Sequence, residues 1–198
     1  MSQVSWFAVD DALDVIKGNF DIASAREKKG VEKVIFLESV RMAKVVSYEE
    51  DTLLKRHFRK ILAHVDDDVV HLVSPVFANG HFFFAAICIM GREQLIVQSV
   101  GERGGTTPLQ MYVTKLRQYL GIPENKVRLP GNRFGLRTDT HGANSCAGYA
   151  LATTEAYLAC GAKLGNATAI TKQVHEGAEA WMKWLRNRDK KKKYVIKK

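Results

Sequence analysis

Two residues of this chain have the type and placement that nucleophilic chemistry needs. Cys146 follows a polar, glycine-containing stretch and begins an apolar pattern of helical period. A helix start favours a thiolate, because backbone N–H groups and the positive end of the helix dipole converge there. A thiolate also needs a base, and His81 opens the most apolar run of the chain, HFFFAAICIM. The pair predicts thiol catalysis; the alternative is a buried structural cysteine beside an unrelated strand.

Apolar periodicity predicts the elements that would position this pair. Three apolar segments separated by short turns, Val69 to Phe77, His81 to Met90 and Gln94 to Val100, predict an antiparallel β-meander. The segment 33–46 predicts a strand or an irregular strand pair. Helical patterns span residues 5–18, 47–65, 107–120, 146–160 and 168–187. This order predicts an α+β fold, a small antiparallel β-meander packed by helices, with the nucleophile at a helix N-terminus.

A residue that orients the histidine is expected on the next strand. Gln98 stands in the apolar segment LIVQSV, 17 positions after His81, and a hairpin turn at 91–92 predicts that the two side chains meet. An unpaired amide in such a strand would cost about 1–3 kcal/mol. Gln98 is therefore predicted to hydrogen-bond the imidazole. Glu102 and Asp139 are the carboxylate alternatives.

Length and cysteine content limit the class of protein. A chain of 198 residues, 46% of them hydrophobic, is expected to form a single domain with its own core. Its three cysteines are an odd number without metal-ligand spacing, which argues against a disulfide framework and for a reducing compartment, cytoplasmic or nuclear. Without a CxxC or HExxH motif we predict no zinc site, and we expect no cofactor. No apolar run has the length that a membrane span needs.

The positive charge is concentrated at the C-terminus. The formal net charge is +9, and residues 183–198 hold nine Lys/Arg and one Asp, which leaves the remainder of the chain near neutral. We therefore predict a single domain over residues 1–187 and a basic tail over 188–198. The tail is interpreted as a solvated terminus, with a nuclear-import signal or a contact for nucleic acid or an anionic surface as alternatives.

The order of histidine strand, neighbouring strand and cysteine helix resembles that of the clan CE cysteine proteases. This clan includes the SUMO and ubiquitin-like-protein proteases, the adenovirus-type proteinases, bacterial effector deubiquitinases and the YopJ-type acetyltransferases. GHFFFAAICIM resembles the histidine strand, LIVQSVG the acid strand, and THGANSCAGYALA the nucleophile loop and helix. The resemblance covers roughly residues 70–160. It departs from the pattern at Phe82, where tryptophan is usual, at Gln98, where an acid is usual, and in lacking the oxyanion glutamine.

This resemblance implies a papain-like, adenain-like arrangement and a thiol hydrolase. Such an enzyme cleaves peptide or isopeptide bonds at the C-terminus of ubiquitin or a ubiquitin-like protein, or in a polyprotein. The clan also implies a pathogen effector or viral protease, acting inside a host cell, as one source of such an enzyme. Three alternatives stay open: a YopJ-type acetyltransferase, a pseudoprotease that binds without cleaving, and a basic-tailed binding module.

The position of the nucleophile has two interpretations. The Cys-Gly pattern of the family aligns with Ala147 and Gly148, so position 147 would be the nucleophile if an alanine had replaced it. Cys146 and Ala147 point about 100° apart on a helix, and the apolar stripe places Ala147 towards the meander, so both are named. Polar and glycine residues nearby are the candidates for the oxyanion site and substrate channel: Thr140, His141, Gly142, Asn144 and Gly148.

Overall fold

A computed structural model describes residues 4–27, 33–63, 69–78, 80–91, 93–101, 108–128, 145–160 and 167–195. The α+β class predicted from the sequence is confirmed. The helices are α1 Trp6–Glu27, α2 Ser39–Val46, α3 Asp51–Leu62, α4 Pro108–Leu120, α5 Cys146–Ala159 and α6 Ala167–Val195, with a 3₁₀ turn at Glu124–Lys126. The strands are β1 Lys33–Phe36, β2 Val69–Ala78, β3 His81–Met90, β4 Gln94–Val100 and β5 Val127–Arg128.

The five strands form one mixed sheet in the order β1-β2-β3-β4-β5. Strands β2, β3 and β4 pair antiparallel and are the predicted meander. Each edge of the meander carries a short parallel strand, β1 beside β2 and β5 beside β4. The fully apolar β3 therefore lies in the middle of the sheet, where both of its faces are covered.

Alternate side chains of β3 enter two separate cores. Phe82, Phe84 and Ala86 pack in a cluster with residues of α1, α5 and α6. Phe83, Ala85 and the isoleucines that follow pack on the opposite face with residues of α2, α3 and α4. This two-sided burial explains the unbroken apolar run, and it fixes α5 against the face to which Phe82 points.

The segment 33–46 is a strand followed by a helix, so the prediction of a strand pair there is wrong in its second half. Helix α2 begins at Ser39, whose backbone N–H and hydroxyl both donate to the Asp10 carboxylate at 3.1 Å. A carboxylate at a helix start satisfies N–H groups that lack partners inside the helix. Because Asp10 lies on α1, 29 residues away, this helix start depends on a long-range contact.

Helices α5 and α6 pack closely through glycine. A Cβ built on Gly148 would lie 2.6 Å from the carbonyl oxygen of Ala178 and 2.6 Å from Cγ of Met182. We expect Gly148→Ala to lower the free energy of unfolding by about 1–3 kcal/mol, because the backbone of α6 must move away. Thermal unfolding would measure this loss.

The matched control for that substitution is Gly18→Ala. Gly18 also lies inside a helix, but a Cβ there would meet nothing within 4 Å, so the change is expected to stabilise the helix by about 0.5–1 kcal/mol. Equal melting temperatures for the two variants would contradict the close packing of α5 on α6.

None of the helices in the part of the chain that the structure describes combines the length and apolar character needed to cross a bilayer.

Candidate active site

The structure places Cys146 at the first position of α5, half-buried, with its thiol beside the start of β3. The backbone N–H of Phe82 points at Sγ of Cys146 over 3.5 Å. The side chain of His81 and the N–H of Ala147 are also near enough to the sulfur to lower the pKa of the thiol. The sulfur therefore lies among hydrogen-bond donors from two elements, and donors of this kind stabilise a thiolate.

His81 is the first residue of β3, and its ring is held from the other side as well. Its Nε2 lies 2.9 Å from the carbonyl oxygen of Gly101, the residue that follows β4. A carbonyl can only accept, so Nε2 carries the proton in the neutral ring and Nδ1 is the nitrogen that can take the thiol proton. The Gly101 carbonyl therefore fixes the tautomer that a general base needs.

The backbone of Gly101 is unusual in a way that bears on this contact. Its φ is +84°, and the residue is buried. This region of φ is readily accessible only to glycine. The conformation turns the chain at the end of β4 while its carbonyl faces His81. Gly101 is thus a part of the site that side-chain reasoning could not identify.

The pKa of the Cys146 thiol lies below its ordinary value. Burial raises this pKa, but the hydrogen bond to His81, the N–H of Phe82, the charge of the imidazole and the N–H of Ala147 lower it, and together they prevail. A lower pKa means that more thiolate is present at neutral pH. The site therefore favours the reactive form of the cysteine.

The lowered pKa predicts how Cys146 should react with iodoacetamide. Alkylation of Cys146, followed by mass spectrometry across a pH series, is expected to reach half its maximal rate below the pH of an ordinary cysteine. His81→Ala should move this midpoint upward, because the contact that most lowers the pKa is lost. His57→Ala is the control, since His57 bonds the hydroxyl of Tyr112 on the opposite face of the sheet. A midpoint that stays the same in His81→Ala would refute the contact.

Gln98 does not meet His81, and the predicted proximity is wrong. In the β3–β4 hairpin, a residue a given number of positions before 92 pairs with the residue the same number of positions after it. Gln98 therefore lies opposite Ala86. Ala86 is five residues along β3 from His81, which corresponds to about 16 Å. The hairpin was predicted correctly from the sequence, but its register places Gln98 away from His81. The carboxylate alternatives, Glu102 and Asp139, lie outside the described residues.

The structure brings Cys146, not Ala147, to the base. Ala147 is 1% exposed and packs in the core on the α5 side of the sheet. The stripe argument that favoured position 147 was therefore wrong, because the inner face of α5 meets the core and not the histidine. Gly148, predicted to line the substrate channel, faces α6 instead. The other channel candidates, Thr140, His141, Gly142 and Asn144, lie outside the described residues.

A row of aromatic rings leads from the surface to the site. Trp6, which is 45% exposed, stacks on Phe77 with ring centroids 5.6 Å apart. Phe77 in turn contacts Phe82 at 4.7 Å, and the N–H of Phe82 points at the Cys146 sulfur. Phe77 and Cys146 both pack against the core cluster that contains Phe82, so apolar side chains lie beside the thiol.

Comparison with known proteins identifies the fold through structure alone. No family model and no curated protein sequence matches the chain. A structure of the Xanthomonas campestris effector protein XopD bound to ubiquitin is similar with a TM-score of 0.51 and 16% identity, over 88% of this chain and 91% of that chain. A crystal structure of a de-sumoylating protease is similar with a TM-score of 0.57 and 12% identity, over 94% of this chain and 79% of that one.

Both similarities extend over most of the chain. At identities of 16% and 12% they establish the fold, and the roles of individual residues rest on the geometry described above. The chain has the fold of the clan CE proteases that act on ubiquitin-like proteins, as the sequence resemblance predicted.

Proposed function

We propose that this chain is a thiol protease that cleaves peptide or isopeptide bonds at the C-terminus of ubiquitin or a ubiquitin-like protein. Cys146 is the nucleophile, His81 the general base, and Gly101 the residue whose carbonyl orients the histidine. The observation that carries the proposal is the position of the Cys146 sulfur at the start of α5, 3.5 Å from the backbone nitrogen of Phe82, the residue after His81, with the imidazole near enough to lower the pKa of the thiol. A protease fold supports the same conclusion independently.

The reaction follows from the positions of these groups. His81 takes the thiol proton on Nδ1, and the thiolate attacks the carbonyl carbon of the scissile bond. The positive end of the α5 dipole favours the oxyanion that forms. The imidazolium then donates its proton to the leaving amine, and an acyl-thioester remains on Cys146. Water, deprotonated by His81, hydrolyses the thioester and releases the carboxylic acid and the thiol.

The shape of the site favours a narrow, flexible tail as substrate. The thiol is half-buried and packs against the core cluster that contains Phe82. A segment ending in Gly-Gly, such as the C-terminus of ubiquitin, has no side chains to obstruct its approach to a recessed sulfur. The names of the structural neighbours, an effector bound to ubiquitin and a de-sumoylating protease, suggest the same class of substrate.

Hydrolysis of C-terminal aminomethylcoumarin conjugates of ubiquitin and SUMO tests this proposal. We expect the chain to release coumarin from at least one conjugate. A separate incubation with acetyl-CoA and a peptide carrying Ser, Thr and Lys should show no acetyl transfer to the peptide. Acetylation of the peptide without release of coumarin would instead favour the YopJ-type alternative. Absence of both activities would favour a pseudoprotease.

A further inference from the structure

The basic end of α6 projects beyond the active-site end of α5. The two helices run antiparallel, since Gly177 lies beside Ala152 while Gly148 lies beside Met182. Cys146 is two residues before Gly148, so it lies near the level of residues 183–184 of α6. Helix α6 continues to Val195, which carries its backbone about 15 Å past the start of α5 at 1.5 Å per residue.

This end of α6 contains most of the net positive charge of the chain. Lys183, Arg186 and Arg188 are exposed, and four consecutive lysines follow at positions 190–193. Residues 1–182 carry a formal charge of only +1, so the field of the protein is strongest at this end of α6.

A contact with α1 holds the projecting helix against the body of the protein. Nε of Arg188 lies 3.0 Å from the carboxylate of Asp11, and the guanidinium lies 6.0 Å from the Trp184 ring. Trp184 packs against the core beside α5. The basic helix is therefore held in a fixed position relative to Cys146 at least as far as Arg188. A surface that positions a substrate must be fixed in this way.

We infer that the basic end of α6 is a docking surface for an acidic patch on the protein substrate whose C-terminal tail reaches Cys146. This inference rests on the proposed function. Opposite charges raise the rate of encounter and align the partners before the tail enters the site. The location favours a protein substrate, because most of the net positive charge lies at the end of α6 that extends past the start of α5. A nucleic-acid partner would be expected to need positive charge across a wider face of a domain whose remainder is near neutral.

Charge reversal separates docking from catalysis. The test variant carries Arg186→Glu, Lys190→Glu and Lys193→Glu, and the matched control reverses three exposed charges on α3, at Lys55, Arg56 and Arg59. The substrates are full-length coumarin conjugates of ubiquitin and SUMO, and coumarin conjugates of their last five residues. We expect the test variant to lose about tenfold in kcat/KM on the preferred full-length conjugate at low salt. The pentapeptide conjugate should be cleaved at an unchanged rate, and the α3 control should behave as wild type.

Three outcomes would overturn the inference. The first is unchanged cleavage of the full-length conjugates by the test variant. The second is an equal loss on the pentapeptide, which would place the effect in the catalytic centre or the fold. The third is tight, salt-dependent binding of a 20-base-pair DNA duplex that the test variant loses and that blocks cleavage.

A binding measurement keeps this inference distinct from the proposed function. Cys146→Ser protein is titrated with unconjugated ubiquitin and SUMO, with and without the α6 charge reversals. Binding that weakens about tenfold on charge reversal would support the docking surface even if wild-type protein cleaved nothing. Binding that is insensitive to the α6 charges would refute it even if cleavage were observed.

Discussion

Cys146→Ser is expected to abolish release of coumarin from the ubiquitin-like conjugate, with a loss of about 10³-fold or more in kcat. The structure surrounds the sulfur with His81, the N–H of Phe82 and the N–H of Ala147, which lower the pKa of the thiol. A serine hydroxyl ionises far less readily than a thiol, so the same donors would leave it protonated. Steady-state turnover measures the loss, and the melting temperature checks that the variant remains folded.

The control for this prediction addresses position 147. In the Cys146→Ser background, Ala147→Cys should not restore activity, because residue 147 lies in the core, 1% exposed, and points away from His81. Cys160→Ser should leave turnover unchanged, since Cys160 is exposed just beyond the opposite end of α5. If Ala147→Cys restored activity in this background, position 147 and not Cys146 would be the nucleophile position.

Gly101→Ala is expected to lower kcat about 10- to 100-fold, a loss consistent with misplacing a general base. An alanine is strained at a φ of +84° by about 1–2 kcal/mol, and relaxation of this strain would rotate the carbonyl away from Nε2 of His81. Without that acceptor the imidazole is no longer held beside the sulfur, so the contact that most lowers the pKa of Cys146 weakens and the thiolate forms at higher pH. The acid limb of the kcat/KM profile should therefore move to higher pH, which a purely structural defect would not cause.

Gly91→Ala is the matched control for strain. Gly91 also has a positive φ, +57°, at the opposite end of the β3–β4 hairpin, and a Cβ there would meet nothing within 4 Å. It should lose stability without a shift in the pH profile. Glu102→Gln tests the carboxylate alternative. A loss in Glu102→Gln as large as that in Gly101→Ala, with the same pH shift, would assign the orienting role to Glu102 instead.

The sequence predicted the pair of residues that the structure brings together, because each has a strong local signal. Cys146 marks the change from a polar loop to a helical pattern, and His81 begins the apolar strand at the centre of the sheet. The orienting group had no such signal, because the carbonyl of Gly101 is a backbone atom whose direction depends on one dihedral angle. A glycine directly after a strand that neighbours the histidine strand is the sign that could have indicated it.

Long-range contacts explain the remaining errors. The assignment of Gln98 depended on the register of a hairpin, and a shift of a few residues moves a side chain many ångströms along the sheet. Helix α2 was missed because its start is satisfied by Asp10 on another helix, not by a capping residue of its own. The choice between Cys146 and Ala147 depended on which face of α5 meets the core. Ala147 lies in the core cluster that α5 forms with the sheet, α1 and α6, and these are contacts that the local pattern does not specify.

The most direct test of the account is covalent capture by propargylamide probes of ubiquitin and SUMO, followed by peptide mapping of the adduct. Such a probe reacts only with a nucleophile that its C-terminal tail can reach. One adduct is expected on wild-type protein, located at Cys146, and it should be absent from Cys146→Ser and strongly reduced in His81→Ala. An adduct on another residue, or a wild-type protein that neither probe labels while it remains folded, would contradict it.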